Sequence, residues 1–450
     1  MARYFGTDGV RGRANADLTP ELAMAVASAA ARVLAAHTGP DGSARPVAVV
    51  GRDPRVSSEM LEAAVVAGLT SAGADVRLAG VLPTPAVAYL TQLYAADLGV
   101  VLSASHNPMP DNGVKLFARG GQKLPDDLED EIEAEIDAGW RKPRPTGAAI
   151  GRVTVSENGA AQYVAHLLAS APTSLTGIKV VVDCANGAAS SVAGGLFSRA
   201  GAEAIVVAGE PDGENINDGV GSTHIHSLAK IVLAHQADLG IALDGDADRC
   251  LAVDAAGAVV DGDQILAICA RSLKDRSLLA QDTVVATVMS NLGFHHAMRK
   301  AGIKVLTTAV GDRYVLESLL SNGLSLGGEQ SGHVIFTDAA TTGDGLLTAL
   351  RLMSCMASAG RPLAELAAIV QRLPQVMINV RVADRETVAA SADVRAAVSA
   401  AEAELGEAGR ILLRPSGTEQ LVRVMVEAAS QERAEQIARR VSEVVGASSC

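Results

Sequence analysis

The sequence predicts an α/β protein of three repeated α/β domains with mixed sheets, followed by a smaller C-terminal α+β domain. Two observations lead there. Hydrophobic residues make up 48% of the chain but aromatic ones only 2%, so the cores must be packed from Ala, Val, Leu and Ile, which suits helices laid on buried parallel strands. The second observation is a pattern that occurs three times: an apolar, Val-rich run, a turn containing Gly or Asn, a helical stretch, and an Ala-Gly pair opening another apolar run. The length of 450 residues exceeds what one hydrophobic core supports and sets an expectation of about three domains, give or take one.

Taken in order, Leu22 to Ala36 is the longest apolar stretch. It contains Ser28 and Arg32 and falls short of a bilayer span, so it reads as a core-facing helix. The repeats then open at Val47 to Gly51, Val180 to Asp183 and Val284 to Thr287. Their Ala-Gly pairs are Ala72-Gly73, Ala200-Gly201 and Ala301-Gly302, where Gly suits the residue that ends a helix before a strand. Each repeat runs on into a further strand. Asp97 to Leu102 parallels Asp238 to Leu243, and Leu324-Ser325-Leu326 is comparable.

These three runs lead into polar loops: SASHNP from Ser103, DGDADR from Asp244 and GGEQSGH from Gly327. Ligands of open α/β sheets sit beyond the carboxyl ends of the strands, so the three loops are expected to converge on one cleft. After Pro374 the pattern changes to a short strand (Val376 to Val382), a helix (Thr387 to Leu405), strands around Ile411 to Arg414 and Leu421 to Glu427, and a last helix from Gln431 to Val445. That alternation suggests a small α+β lobe. The expected domains are 1–155, 156–256, 257–373 and 374–450.

Composition excludes several functions. A formal net charge of -13 argues against a general nucleic-acid binder, whose affinity comes from clustered Lys and Arg. The cysteines Cys184, Cys250, Cys269, Cys355 and Cys450 are odd in number, scattered and without a C-x-x-C pair, so neither a disulfide framework nor a zinc site is expected. The start of the chain lacks the apolar stretch and cleavage site of a signal peptide. The expected setting is the reducing cytoplasm, with no membrane partner.

DGDADR puts Asp244, Asp246 and Asp248 at alternate positions. In an extended segment their side chains would face one point. Hard oxygen ligands in small number suit Mg²⁺, which keeps positions open for a phosphate oxygen; the plain alternative is an acidic surface turn. An EF-hand fits poorly, because Arg249 and Ala255 stand where Gly and Glu are expected. Arg249 suits a phosphate or hydroxyl held beside the metal.

SASHNP offers Ser103, Ser105 and His106 in a loop closed by Asn107-Pro108. A bare serine is a weak nucleophile, so it needs activation or must already carry the phosphoryl group it donates. Taken alone the loop is an ordinary polar turn, and its place in the repeat opposite the aspartates is what favours catalysis. Lys115 supplies charge or moves a proton, or is a solvated surface Lys.

In GGEQSGH, Glu329, Ser331 and His333 alternate as a polar edge suited to a sugar, with His333 either transferring a proton or only hydrogen-bonding a hydroxyl. RPSGTE, with Arg414, Ser416, Gly417 and Thr418, and the nearby Arg423, reads as an anion nest or as a simple hairpin turn. It is not a Walker A loop.

In this order and spacing the motifs resemble the α-D-phosphohexomutase superfamily over essentially the whole chain. FGTDGVRG from Phe5, VGDRYV from Val310 and Gln330 look like its phosphoglucosamine mutase branch. The resemblance implies four domains around a central cleft, a phosphoserine at Ser105, and one Mg²⁺ per chain held by Asp244, Asp246, Asp248 and a phosphate oxygen on Ser105. It places Arg11, His106, Lys115 and Arg249 around the transferring group. It gives Glu329, Ser331 and His333 to the sugar, and Arg414, Ser416, Gly417, Thr418 and Arg423 to the non-reacting phosphate.

The implied reaction interconverts glucosamine 6-phosphate and glucosamine 1-phosphate through a 1,6-bisphosphate, for UDP-N-acetylglucosamine and cell-wall synthesis. Glucosamine or glucose 1,6-bisphosphate would serve as activator. Ala247 departs from the Gly common in the family, and is tolerable unless the backbone needs a positive φ. A phosphomannomutase or phosphoglucomutase is the same-class rival; a metal-dependent sugar phosphatase and a non-catalytic sugar-phosphate sensor are the others. The sequence leaves the proton carrier open among Lys115, His106 and His333. It also leaves the assembly open, with a homodimer allowed.

Overall fold

The computed structural model describes residues 4–6, 8–37, 45–139, 142–171, 173–415 and 420–448. It contains four sheets, and the first three share one plan. In the first sheet Val47–Arg52 lies between Asp75–Val81 and Leu98–Leu102, all parallel, and Asp111–Ala118 then pairs antiparallel with Leu98–Leu102. In the second, Lys179–Asp183 lies between Glu203–Val207 and Leu239–Leu243, and Cys250–Asp254 returns antiparallel. In the third, Thr283–Thr287 lies between Lys304–Thr308 and Leu326–Gly328, with Val334–Phe336 antiparallel.

The chain therefore steps to one side of its opening strand and then to the other. That reversal creates a crevice at the strands' carboxyl ends. The polar loops follow the strand beyond each reversal, as the sequence pattern predicts. The third such strand starts at Leu326 and takes in the first two glycines of its motif, later than the apolar run at Leu324.

Local chemistry explains the elements. The strands beside the reversals are buried along their whole length, which accounts for sequences rich in Val, Leu and Ile and free of charge. The helices before the second strands end at Gly73, Gly201 and Gly302 with φ of 94°, 98° and 67°, a left-handed turn that costs Gly little. The first helix, Pro20–His37, opens on Pro with Glu21 in its first turn, both favourable at a helix start. Together with Val56–Ser71 it packs Ala, Val and Leu against the first sheet.

The chain divides into two compact units, residues 1–289 with 303–369, and 290–302 with 370–450. The first carries the three repeated sheets. The second holds a three-stranded antiparallel sheet in the order Gln375–Arg381, Leu421–Glu427, Arg410–Pro415, backed by Ala392–Leu405 and Gln431–Ala447. It also claims the third repeat's helix, Leu292–Lys300, whose Leu292 N–H donates to buried Glu427 at 2.8 Å.

The single helix expected over Thr387 to Leu405 is instead two, Arg385–Ala389 and Ala392–Leu405. Asp384 caps the first, and the Ser391 hydroxyl accepts from Val394 N–H to start the second. Such a side chain offers the backbone a local alternative to continuing the helix. Among the described residues no helix is long and apolar enough to cross a membrane.

Candidate active site

Ser105 stands in the loop after Leu98–Leu102, 2% exposed, with φ of 54°. A non-glycine residue in that region needs surrounding structure to hold it. Arg55 supplies the support. Fully buried, it pairs with Asp53 at 2.8 Å and donates to the carbonyls of Ser105 at 3.0 Å, Asn107 at 2.8 Å, Pro108 at 2.6 Å and Asp111 at 3.1 Å. Asp53 in turn accepts from Ser103 Oγ at 2.6 Å and Ser58 Oγ at 2.9 Å. Asn217 Nδ2 donates to the Ser105 carbonyl at 2.9 Å. The loop is held mainly by its backbone, so the Ser105 side chain is not used to hold it.

Ser105 Oγ donates to Asp244 Oδ2 at 2.5 Å and lies 3.3 Å from His106 Nδ1. Asp244, Asp246 and Asp248 are buried, and one carboxylate oxygen from each lies within 4.8 Å of the others. They converge through a tight turn, not through the extended segment the sequence suggested. Ala247 N–H donates back to Asp244 O at 3.0 Å, and Ala247 has φ of 56°, so the condition under which Ala was tolerable there is not met. Gly245 lets the turn approach the serine loop: a Cβ on it would meet the Ser105 carbonyl at 2.6 Å.

Burial, followed by Asp248 and Asp246, pushes the Asp244 carboxyl well up. Burial also opposes ionisation of Asp248, but Lys115, His333 and Arg249 outweigh it and hold that carboxyl low. Among the described residues, nothing donates a hydrogen bond to buried Asp246 Oδ1 or Asp248 Oδ1. Crowded oxygens without donors fit a hard divalent cation, which would supply the missing positive charge.

Lys115, on Asp111–Ala118, reaches Asp246 at 2.7 Å, Asp248 at 3.4 Å and Asp8 at 2.8 Å. Burial disfavours its charge, but those carboxylates outweigh burial and hold its pKa well above the ordinary value, so it is an ammonium here. His106 is the opposite case, lowered to about 4 by burial, then by Arg249 and Arg11. Arg11 pairs with Asp8. The Arg249 N–H donates to Asp244 Oδ1 at 3.2 Å, and its side chain lies 4.0 Å from Asp248.

The third loop is a tight hairpin in which Glu329 N–H donates to His333 O at 2.9 Å. Glu329 accepts from Gly311 N–H at 3.1 Å, Ser331 Oγ lies 3.5 Å from Glu329, and His333 Nε2 lies 3.2 Å from Asp312. Arg249 and His333 form a backbone bridge, which joins the acidic loop to the third one. Ser105, His106, Lys115, Arg11, Arg249, Glu329, Ser331 and His333 thus all belong to the first unit.

In the second unit Arg414 and Arg423 stand directly opposite each other across the sheet. Burial and then Arg423 lower the Arg414 pKa. Like charges so placed repel, and an anion would relieve them. Ser416, Gly417 and Thr418 lie outside the described residues.

Asp53, Arg55 and Asn217 are absent from the sequence-predicted set. So is the chain in which Lys123 bridges Asp8 at 2.8 Å and also pairs with Asp312. A signal existed for some of them. Asp53 and Arg55 follow an opening strand at a reversal, and Asp8 and Asp312 sit within FGTDGVRG and VGDRYV.

Four family models match in turn: phosphoglucomutase/phosphomannomutase alpha/beta/alpha domain I over residues 2–141, domain II over 161–257, domain III over 261–373, and the C-terminal domain over 377–444. A phosphoglucosamine mutase of Saccharopolyspora erythraea is 64% identical over 447 residues, 99% of this chain and 100% of that protein. One from Streptomyces avermitilis is 62% identical over 99% of both. The crystal structure of a phosphoglucomutase/phosphomannomutase family protein from Burkholderia thailandensis superposes with a TM-score of 0.82 at 26% identity, covering 98% of this chain and 97% of that one.

Proposed function

This chain belongs to the phosphoglucomutase/phosphomannomutase family, and we propose that it acts there as a phosphoglucosamine mutase, interconverting glucosamine 6-phosphate and glucosamine 1-phosphate. One observation carries the chemistry: a buried serine hydroxyl donating at 2.5 Å into a cluster of three buried carboxylates. The names of the two relatives support the amino-sugar substrate.

In the proposed cycle Ser105 carries a phosphoryl group and donates it to the 1-hydroxyl of glucosamine 6-phosphate. The 1,6-bisphosphate so formed turns over and returns its 6-phosphate to Ser105, and added glucosamine or glucose 1,6-bisphosphate primes an unmodified chain. Asp244, Asp246 and Asp248 would hold Mg²⁺, which would supply charge stabilisation for the transferring phosphoryl. Lys115, locked as an ammonium, neutralises equatorial phosphoryl oxygens together with Arg11 and Arg249.

His106, a neutral ring with its Nδ1 3.3 Å from Ser105 Oγ, takes the serine proton when the hydroxyl attacks the bisphosphate, in the tautomer that leaves Nδ1 unprotonated. Glu329, Ser331 and His333 read the sugar hydroxyls. Arg414 and Arg423, with Ser416, Gly417 and Thr418, grip the phosphate that does not react. We read the four sheets as four domains parting near residues 155, 256 and 373. We place the enzyme in the cytoplasm, acting on a small phosphosugar without nucleic acid or membrane. A homodimer is the assembly to be tested by light scattering.

The test compares glucosamine, glucose and mannose 6-phosphates as substrates with Mg²⁺ and a bisphosphate activator, alongside peptide mass analysis of Ser105. Glucosamine 6-phosphate should give the highest kcat/KM, and Ser105 should carry the phosphoryl group. A higher kcat/KM for glucose or mannose 6-phosphate would assign the chain to the rival specificity. Net release of inorganic phosphate would make it a phosphatase.

A further inference from the structure

The cysteines of the first unit fall into two classes. Cys184 and Cys250 are fully buried beside strands of the second sheet, and burial pushes the Cys184 thiol up to about 12 and the Cys250 thiol well above its ordinary value. Thiols in such places are inert. Cys269 and Cys355, far apart in sequence, come from two helices that pack together, Gly262–Asp275 and Gly345–Ala359. Both are free thiols.

Both also line a cavity of about 240 Å³, and Cys355 faces a second of about 620 Å³. Arg276 and Ser272 border both cavities, and Arg351 borders the first. Arg351 is itself paired with Asp338 at 2.8 Å. Either cavity has room for a molecule slightly larger than water.

Cys269 is 2% exposed and Cys355 half-buried, so the two thiols differ in access. They differ in acidity as well. The neighbouring Cys269 thiol lowers Cys355 most; burial opposes this, while Ser272, Arg276 and Arg351 add to it, leaving the thiol at about 7. Cys355, with burial, in turn holds Cys269 well above its ordinary value. An accessible, acidic thiol sharing one cavity with cations and a second thiol is the arrangement of a peroxide-reactive cysteine and its resolving partner.

We propose that Cys355 is a site of thiol modification by hydrogen peroxide and that Cys269 resolves the product into a disulfide. The Cys355 thiolate sulfur attacks one peroxide oxygen, the O–O bond breaks, and hydroxide leaves and is protonated to water, so that Cys355 becomes a sulfenic acid. The Cys269 sulfur then bonds to the Cys355 sulfur, the S–O bond breaks, and the hydroxyl leaves as water with the Cys269 proton. Two thiols are oxidised and one peroxide is reduced to two waters.

The cross-link would join two helices that begin at the active-site loops. Gly262 N–H donates to Gln330 O at 3.1 Å, and Gly345 N–H donates to Ala247 O at 2.9 Å. Turnover therefore reports the cross-link, a readout that rests on the proposed mutase function, whereas peptide mass does not.

The test treats the full chain with hydrogen peroxide and maps thiols by mass. The wild type should yield a Cys269–Cys355 cross-linked peptide. Cys269→Ser should hold a sulfenic acid on Cys355 that dimedone traps, with Cys269→Ala as a second variant should the first fold poorly. At neutral pH, iodoacetamide should label Cys355 at least about tenfold faster than Cys184 or Cys250. Peroxide should depress turnover reversibly with dithiothreitol, and Cys355→Ser should keep its turnover under peroxide. Absence of the cross-link, or labelling of Cys355 no faster than of Cys184 and Cys250, overturns the proposal. A cross-link formed with turnover unchanged overturns its link to the active site while leaving the mutase assignment untouched.

Discussion

Arg55→Lys is the substitution that most directly tests how the serine loop is held. Arg55 donates from a planar fork to one carboxylate and four carbonyls, all between 2.6 and 3.1 Å. Lys keeps the charge beside Asp53 but has only three donors on a single nitrogen, so at least two of those bonds are lost. Hydrogen bonds to charged groups contribute about 1.5–3 kcal/mol each, so losing two removes at least about 3 kcal/mol.

The bonds to the carbonyls of Ser105 and Asn107 flank the reacting side chain. A loop displaced by about 1 Å costs on the order of 100-fold in rate. The assay is steady-state kinetics below the melting transition, paired with thermal unfolding. The expected result is a lower melting temperature and a kcat reduced by about 10- to 100-fold, with KM little changed because the residues proposed to read the sugar lie on another loop. A folded Arg55→Lys protein with unaltered kcat would refute the support role. A rise in KM alone would place Arg55 in substrate binding instead.

Ser105→Ala should leave the fold and phosphosugar binding intact while nearly abolishing turnover, measured by calorimetry and a coupled assay; retained turnover would exclude the serine relay. Ala247→Gly should raise stability by about 0.5–1 kcal/mol in denaturant unfolding, because a left-handed alanine costs more than the added chain entropy of glycine. Mg²⁺ added to chelator-treated protein should raise the melting temperature, with about 2.7 kcal/mol gained at a hundredfold excess over Kd. Asp246→Asn should shrink that gain, and an equal shift in both proteins would place the ion elsewhere. His295 is held neutral by burial, then by Arg410, His296 and Arg299, which lower its pKa from 6.5 to about 4. The unfolded chain binds that proton first, so stability should fall as pH drops from about 6.5 towards 4. His295→Gln should flatten that slope in unfolding measured against pH.

Much of the fold was legible because it is written in local periodicity. The Val-rich openings at 47, 180 and 284 became strands, and the Ala-Gly pairs became left-handed helix ends, since both depend only on neighbouring residues. The helix across Thr387 to Leu405 was misjudged for the same reason. Apolar spacing continues through Ser391, and only the cap it forms with Val394 N–H interrupts the helix.

Residue chemistry and repeat position by themselves predicted that Ser105 and the three aspartates meet, and Ser105 Oγ does lie 2.5 Å from Asp244 in the carboxylate cluster. The partners of those groups were decided by tertiary structure. Lys115 meets Asp246 from 131 residues away, and Lys123 meets Asp312 from 189. The Arg55 fork closes on carbonyls that have no side-chain signature, and Cys269 finds Cys355 only once two helices pack. Periodicity is a property of adjacent positions, whereas a buried charge or thiol takes its pKa and its partner from whatever the folded chain brings within a few ångströms.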